Sequence, residues 1–562
     1  MKKILFFLFL SSILNAQNEY PKDFISPLAI NLDLSGSFGE LRSNHFHSGI
    51  DIKTEKREGL DVFAVADGYV SRIKISTYGY GKAIYITHPN GYTTVYGHLQ
   101  KANGAIEDYI KKNHYDKKSY EIEMFPKPSE LPVKQGEIIA FSGNSGGSGG
   151  PHLHFEFRET ASEKIVNPLH FGFTKFAKDK HAPDLYGVMA YPIDSTIVNK
   201  SQRPISISFN KQADGSYLAS KVIANGKVGF AINASDKCTN AYNRNGLYKV
   251  NAYLNGVLYY SYEFDKFAFD ESRYINNFID YEKYQKQRQR YQKLFFNTEF
   301  PLSVLKENKK NGIINTQPGA NYTLRVEMFD FEGHQTNLFI PIEYGTSEVV
   351  FKKEENNSPY FLKSKIENNY SKDKISVYIP ENAFYDDFKL NFDVKNNVLY
   401  LHDESVPVHK NITITFSDVE GLTEEQLKKT FIASVDGVKL SYNKTYRKDN
   451  RLSTRVRSLG VFKLAQDSIP PRIFNVNFVE GKNLSKQKTL SVSISDDMSG
   501  IDSYNAYLNG EWILMEYDYK TRKLVHDLSD KKYKEGRNDF KVIVTDELQN
   551  STTFESHFFM NP

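Results

Sequence analysis

GEIIAFSGNSGGSGGPHLHFEFRE, residues Gly136 to Glu159, reads as a strand, a glycine-rich turn and a second strand. Upstream, DVFAVADGYVSRIKI (Asp61 to Ile75) and GKAIYITHPNGYTTVYGHL (Gly81 to Leu99) repeat the pattern, with Asp-Gly and Asn-Gly turns between alternating apolar runs. Such punctuation predicts a twisted antiparallel sheet and not a helical domain. In a strand, residues two apart project to one side, so His152 and His154 share a face. Alone, that pair would be an ordinary polar strand face. It has company, because His47 stands four residues before Asp51 in HFHSGID, and both are ligand types for a divalent metal.

The glycine run contains two Gly-x-Ser-x-Gly strings, starting at Gly143 and Gly146. A nucleophile elbow needs a helix directly after the serine, whereas here more glycines and Pro151 follow, which excludes that chemistry. No Gly-Lys-Ser/Thr closes the run, so a phosphate cradle is disfavoured, and no His-Glu-x-x-His string occurs, so the helical zincin pattern is absent.

Composition narrows the classes further. The chain has 562 residues, which predicts about three to five domains. Lys+Arg 72 against Asp+Glu 68 leaves a formal charge of +4, which gives no electrostatic case for a nucleic-acid partner. Cys238 is the single cysteine, so neither an intrachain disulfide nor a thiolate metal site is available. Nine of the 14 histidines (45, 47, 88, 98, 114, 152, 154, 170 and 181) lie in the first third. A His/His/Asp zinc set is therefore the sensible donor composition there, three ligands leaving a fourth position open for catalysis.

Three motifs, His47-x-x-x-Asp51, YGHL at Tyr96 to Leu99 and GPHLHFE at Gly150 to Glu156, resemble those of the lysostaphin-type zinc metallopeptidases, a peptidoglycan endopeptidase family. The resemblance covers roughly Asn31 to Asn167. It implies one Zn2+ held by His47, Asp51 and His154, with His98 and His152 as the unliganded catalytic pair. One of these two would take the proton of the attacking water or steady the oxyanion, and one would protonate the departing amine. The departure from the family pattern is an insertion at about 101–131, expected to form a substrate rim or a lid. Among the other histidines, His45 is expected to be structural, His88 a turn residue and His114 solvated.

Beyond this domain the chain turns to short runs rich in Tyr, Phe, Val and Ile. The string NAYLNG occurs at Asn251 to Gly256 and again 254 residues later at Asn505 to Gly510. LRVEMFD, ending at Asp330, and FKVIVTD, ending at Asp546, are offset by 216, so the earlier copy carries about 38 extra residues. Glu271 to Phe295, free of Gly and Pro, suits a helical insertion. The expected fold is mainly β: an antiparallel metallopeptidase domain at 17–181, then three sandwich-like modules. These are an Ig-like sandwich at 182–345 with a helical insertion at about 267–310, a β-rich module at 346–467 and a second Ig-like sandwich at 468–562. DSIPP, with its two prolines, suits the linker before the last. Trp512 is expected in a core, and Asp61 and Asp67 in turns.

MKKILFFLFLSSILNAQ sets two lysines before an apolar run too short to span a bilayer, an export signal cut near Ala16. The expected function is thus an exported, periplasmic, envelope-associated or secreted zinc endopeptidase cutting peptidoglycan crosslinks. No transmembrane anchor would remain after signal cleavage, and the sandwich modules would be available to protein partners. The alternative is an exported non-catalytic protein with an occluded site that binds the wall or activates another hydrolase.

Overall fold

A computed structural model describes residues 20–176, 180–237, 243–298 and 300–561; the export signal and Cys238 lie outside them. The first domain's strands run β1 Leu34–Gly36, β2 Ile50–Lys53, β3 Asp61–Phe63, β4 Gly68–Ile75, β5 Lys82–Thr87, β6 Tyr92–Gly97 and β7 Lys101–Ala102. After helix α1, Gly104–Lys117, come β8 Ile122–Met124, β9 Pro132–Val133, β10 Ile138–Phe141 and β11 His152–Glu159. The main sheet has the order β1-β2-β11-β6-β5-β4-β8, and β3-β10-β7 forms a second, smaller one.

β11 sits between β2 and β6, antiparallel to both. Its alternation sends Leu153, Phe155 and Phe157 into the core, where all three are fully buried. Phe157 stacks on Phe171 at 3.9 Å between centroids and Phe155 on Phe173 at 5.4 Å. Each such ring is worth about 1.5 to 3 kcal/mol by burial alone. The opposite face of β11 is left to His152, His154 and Glu156.

The C-terminal part of the chain is mainly β, with a short helix at Glu424–Lys428 besides those of the insertion. The NAYLNG strands, Lys249–Leu254 and Ile501–Leu508, pair antiparallel with Asn321–Phe329 and Gly536–Asp546 in one register: Ala252 faces Val326 and Ala506 faces Val542. Both turns place Asn and Gly at positive φ (Asn255 48°, Gly256 83°; Asn509 52°, Gly510 84°), the geometry of a tight hairpin that matches strand twist. In both, the Asn side-chain oxygen caps a neighbouring strand, accepting from Thr323 N at 2.8 Å and from Asp539 N at 3.0 Å. The insertion at 271–295 is helical only in pieces. Ser272–Tyr274, Ile275–Phe278 and Tyr281–Gln287 are short turns, broken where Ile279 adopts extended backbone, and Gln292–Lys293 rejoins the sheet as a strand.

The modules share cores. Phe38, Leu41 and Phe46 of the first domain belong to one apolar cluster with Phe230, Tyr262, Phe264, Phe267 and Phe278. Leu514 of the last module is buried in the core of the first domain. DSIPP is a fixed joint, since Asp467 is buried and accepts from Ser499 Oγ at 2.7 Å and Ser499 N at 3.1 Å.

The 101–131 insertion packs against the last module. Its helix α1 turns Ile106, Ile110 and His114 inward and docks on the last module, with Lys111 Nζ and Tyr115 OH reaching Asp530 at 2.9 and 2.8 Å. Trp512 joins this interface, edge-on to Tyr115 at 5.6 Å, half-buried and packed against the core of the first domain.

Candidate metal and catalytic site

Strand register builds the site. His154 lies directly opposite Asp51 on β2 and Gly97 on β6; His98, just past the end of β6, turns out of the strand at φ 58° and brings its ring to 5.9 Å from that of His154. His47 enters from the loop before β2. Gly49 is obligatory in that loop, because a Cβ there would stand 2.3 Å from the Phe155 carbonyl oxygen.

Three atoms converge. His47 Nε2 is 3.0 Å from Asp51 Oδ1, His154 Nδ1 is 2.9 Å from the same oxygen, and the two imidazole nitrogens are 3.2 Å apart. All three residues are buried. The outer nitrogens are engaged by groups that only accept: His47 Nδ1 donates to Ser37 O at 2.8 Å, and His154 Nε2 to Glu156 Oε1 at 2.9 Å. When each ring spends its N–H outward, two lone pairs and a carboxylate oxygen face one point. That arrangement suits a divalent cation, with outward hydrogen bonds fixing each tautomer.

Charge around His154 is arranged in layers. Burial works against the imidazolium, but hydrogen bonds to Asp51 and Glu156 outweigh it and raise the metal-free ring to about 9. A cation would take that proton's place. Burial also disfavours the Glu156 anion, yet Arg158 and His154 hold it well below the usual carboxylate range. Arg158 Nε and Nη2 both donate to Glu156 Oε2, at 2.8 and 2.7 Å. Ser48 Oγ donates to Glu156 Oε1 at 2.6 Å, and so does Tyr80 OH. Asp51 is likewise depressed well below its ordinary value: burial opposes its charge, and His47, His152 and His154 prevail. Arg42 Nη2 donates to its outer oxygen, Oδ2, at 2.8 Å.

His98 and His152 stand beside this cluster with ring centroids 4.7 Å apart. His98 Nδ1 donates to Ser145 O at 2.8 Å, and His152 Nδ1 lies 2.8 Å from Gly150 O and 3.1 Å from Ser148 Oγ. His152 Nε2 is 3.5 Å from Asp51 Oδ1. His98 occupies the left-handed region at φ 58°, a backbone state that a non-glycine residue adopts only where its surroundings enforce it. Burial, with His154 and His152 adjacent, lowers its imidazole to about 3, so it is neutral at physiological pH. A neutral ring with Nδ1 committed presents Nε2 as an acceptor, which suits a general base or a hydrogen-bonding partner.

Other expectations divide. His45 is exposed and reaches only Asn44 Oδ1, at 3.0 Å. His88 is buried, bridging Asp67 O and Thr94 Oγ1 at 2.8 Å each. His114 is not solvated: it is buried on the inward face of α1, its Nδ1 donating to Ser119 O at 2.8 Å. Asp67 does serve a turn, accepting from Gln135 N at 2.8 Å, whereas Asp61 opens β3. Glu156, Arg158, Tyr80, Ser48 and Ser37 escaped the sequence. Period-two alternation places Glu156 on the face of His154; Tyr80 carries no comparable signal.

Parts of the chain are similar to known proteins. Residues 45–115 match Peptidase family M23, and residues 359–467 match the Zu5-like domain. An uncharacterized metalloprotease of Haemophilus influenzae is 35% identical over 123 residues, 22% of this chain and 20% of that protein. The DD-carboxypeptidase/endopeptidase Mpg of Neisseria meningitidis serogroup B is 34% identical over 129 residues, 23% of each chain. The catalytic domain of the antimicrobial peptidase lysostaphin from Staphylococcus simulans is 25% identical, matching 25% of this chain and 92% of that structure with a TM-score of 0.19. The chain thus covers less than a quarter of the length of either relative.

Proposed function

We propose, from the premise that the first domain is an M23 metallopeptidase domain, that the protein is an exported zinc endopeptidase that cuts peptide crosslinks of peptidoglycan. The observation that carries this is the convergence of His47 Nε2, Asp51 Oδ1 and His154 Nδ1 beside two further imidazoles. When bound, zinc supplies Lewis-acid polarisation of the scissile carbonyl and makes water acidic enough to attack near neutral pH. His47, Asp51 and His154 hold it; Ser37 O and Glu156 keep the two rings turned inward. His98 and His152, each steered through Nδ1 by a carbonyl of the glycine-rich loop, present Nε2 to the reacting groups. One removes the proton of the attacking water or steadies the developing oxyanion, and one returns a proton to the departing amine.

The substrate proposed is the D-amino-acid crosslink of the producer's own wall, in line with the DD-carboxypeptidase/endopeptidase activity in the name of the Neisseria relative. Envelope location rests on the N-terminal leader; among the described residues no helix is long and apolar enough to cross a membrane. The test is digestion of defined crosslinked muropeptides by the purified chain, with products weighed by mass spectrometry. Chelation should abolish cleavage and zinc restore it. Stoichiometric zinc binding without any product would overturn the enzymatic reading.

A further inference from the structure

The loop that steers both imidazoles is poorly equipped to hold itself. Residues 143–150 contain five glycines, and glycine loses the most conformational freedom on ordering. Its first half is tied to the first domain: Ser145 Oγ donates to Leu99 O at 2.8 Å, and Gly147 N donates to Gly79 O at 2.8 Å. Gly146, at φ 67°, packs so close that a Cβ would stand 2.3 Å from Gly81 N. The second half, which supplies Gly150 O and Ser148 Oγ to His152, has fewer ties.

One of those ties comes from the far end of the chain. Lys520, in the turn between Glu516–Asp518 and Lys523–Asp527 of the last module, donates its ammonium to Asn144 O and, at 3.3 Å, to Ser148 O. Its neighbour Tyr519 packs on Tyr78 at 4.7 Å, beside the Gly79 carbonyl that the loop uses. Of two further docking pairs, Lys82–Glu516 at 2.7 Å lies beside the loop, since Lys82 N donates to Ser145 Oγ at 3.0 Å, whereas Lys111–Asp530 at 2.9 Å docks the module away from it.

We infer that Lys520 is a positioning residue of the first domain's site: by spanning Asn144 O and Ser148 O it holds the glycine-rich loop in the shape that aims His98 and His152. An ammonium suits this task, because it offers three donors and can satisfy two carbonyls at once. The last module is then part of the working site. The kinetic side of this inference rests on the proposed peptidase function; the structural side does not.

The test is hydrogen exchange on the full zinc-loaded chain, following peptides that cover 143–151 and 104–117. Lys520→Ala should speed exchange at 143–151 and leave 104–117 unchanged. Lys520→Arg should restore protection, and Lys111→Ala, which weakens docking away from the loop, should leave 143–151 as it was. On a defined crosslinked muropeptide, Lys520→Ala should lower kcat about tenfold with KM nearly constant, since misaimed groups cost turnover more than binding. Unchanged exchange at 143–151 in Lys520→Ala overturns the inference, as does an equal rise at 104–117, which would mean that the whole module had undocked. Absence of turnover in the wild type would defeat the peptidase reading, and the exchange result would still decide the role of Lys520.

Discussion

His154 and Asp51 face each other across adjacent antiparallel strands, with Nδ1 and Oδ1 2.9 Å apart. Directly opposed residues on one face of a sheet are close neighbours, and a one-residue slip of either strand would turn its member of the pair to the other face. The proposed metal site is therefore as well defined as the sheet itself.

From that placement, substitutions at the ligands and at the free imidazoles should separate. His47→Ala and Asp51→Asn should lose zinc and turnover together. His152→Ala should keep stoichiometric zinc while kcat falls about 10²- to 10⁴-fold, the usual contribution of a positioned acid or base. Metal analysis of each purified variant beside its muropeptide kinetics checks this. A fully active His152→Ala would end the proton-transfer assignment.

Glu156 supports His154 from behind and is itself held by Arg158, Ser48 and Tyr80. Glu156→Gln should weaken zinc binding about 10- to 100-fold in competition with a chromogenic chelator, the usual cost of losing an outer partner of a ligand. Glu156→Ala should do more. It strands the buried Arg158 guanidinium, which predicts a loss of about 3 to 5 kcal/mol in denaturant unfolding.

The legibility of these features in the sequence follows from how local each one is. His-x-His on β11 and the NAYLNG hairpins were legible because a strand period of two and an Asn-Gly turn are written in consecutive residues. The shared register of Ala252 with Val326 and Ala506 with Val542 follows from those same strings. What escaped depends on contacts between distant segments. His114 looks solvated among lysines, yet it lies on the inward face of α1, where it lines one space with Leu514 and Glu516 of the last module. Lys520 has no local signal at all, since its role exists only once the last module meets the glycine-rich loop.

Phe46 ties the metal site to the first sandwich. It immediately precedes His47, is buried against Phe264, Phe267 and Phe278, and its amide donates to Ser272 Oγ at 2.9 Å. Phe46→Ala should cost about 3 to 5 kcal/mol, the range for emptying an aromatic site in a core. Because its neighbour His47 is a proposed ligand, zinc affinity should fall with it. Phe46→Leu, which keeps most of the volume, should recover most of both. Calorimetry with and without zinc reads the two effects.

Acid should loosen the joint between the first domain and the first sandwich through Asp265. Burial opposes its charge, but His170, Tyr248 and Lys306 outweigh it; His170 Nε2 lies 3.1 Å away and Tyr248 OH donates at 2.7 Å. Its carboxyl is therefore held below the ordinary 3.8. A depressed folded-state value means that the anion's contribution is complete above the unfolded value and is lost as pH falls through the folded one. Stability should thus decline from about pH 4 downward, when Asp265 begins to bind a proton in the unfolded chain only. Asp265→Asn should lower stability near neutral pH and flatten the dependence below pH 4, as measured by urea midpoints at a series of pH values. An unaltered acid limb in Asp265→Asn would show that other carboxylates carry it.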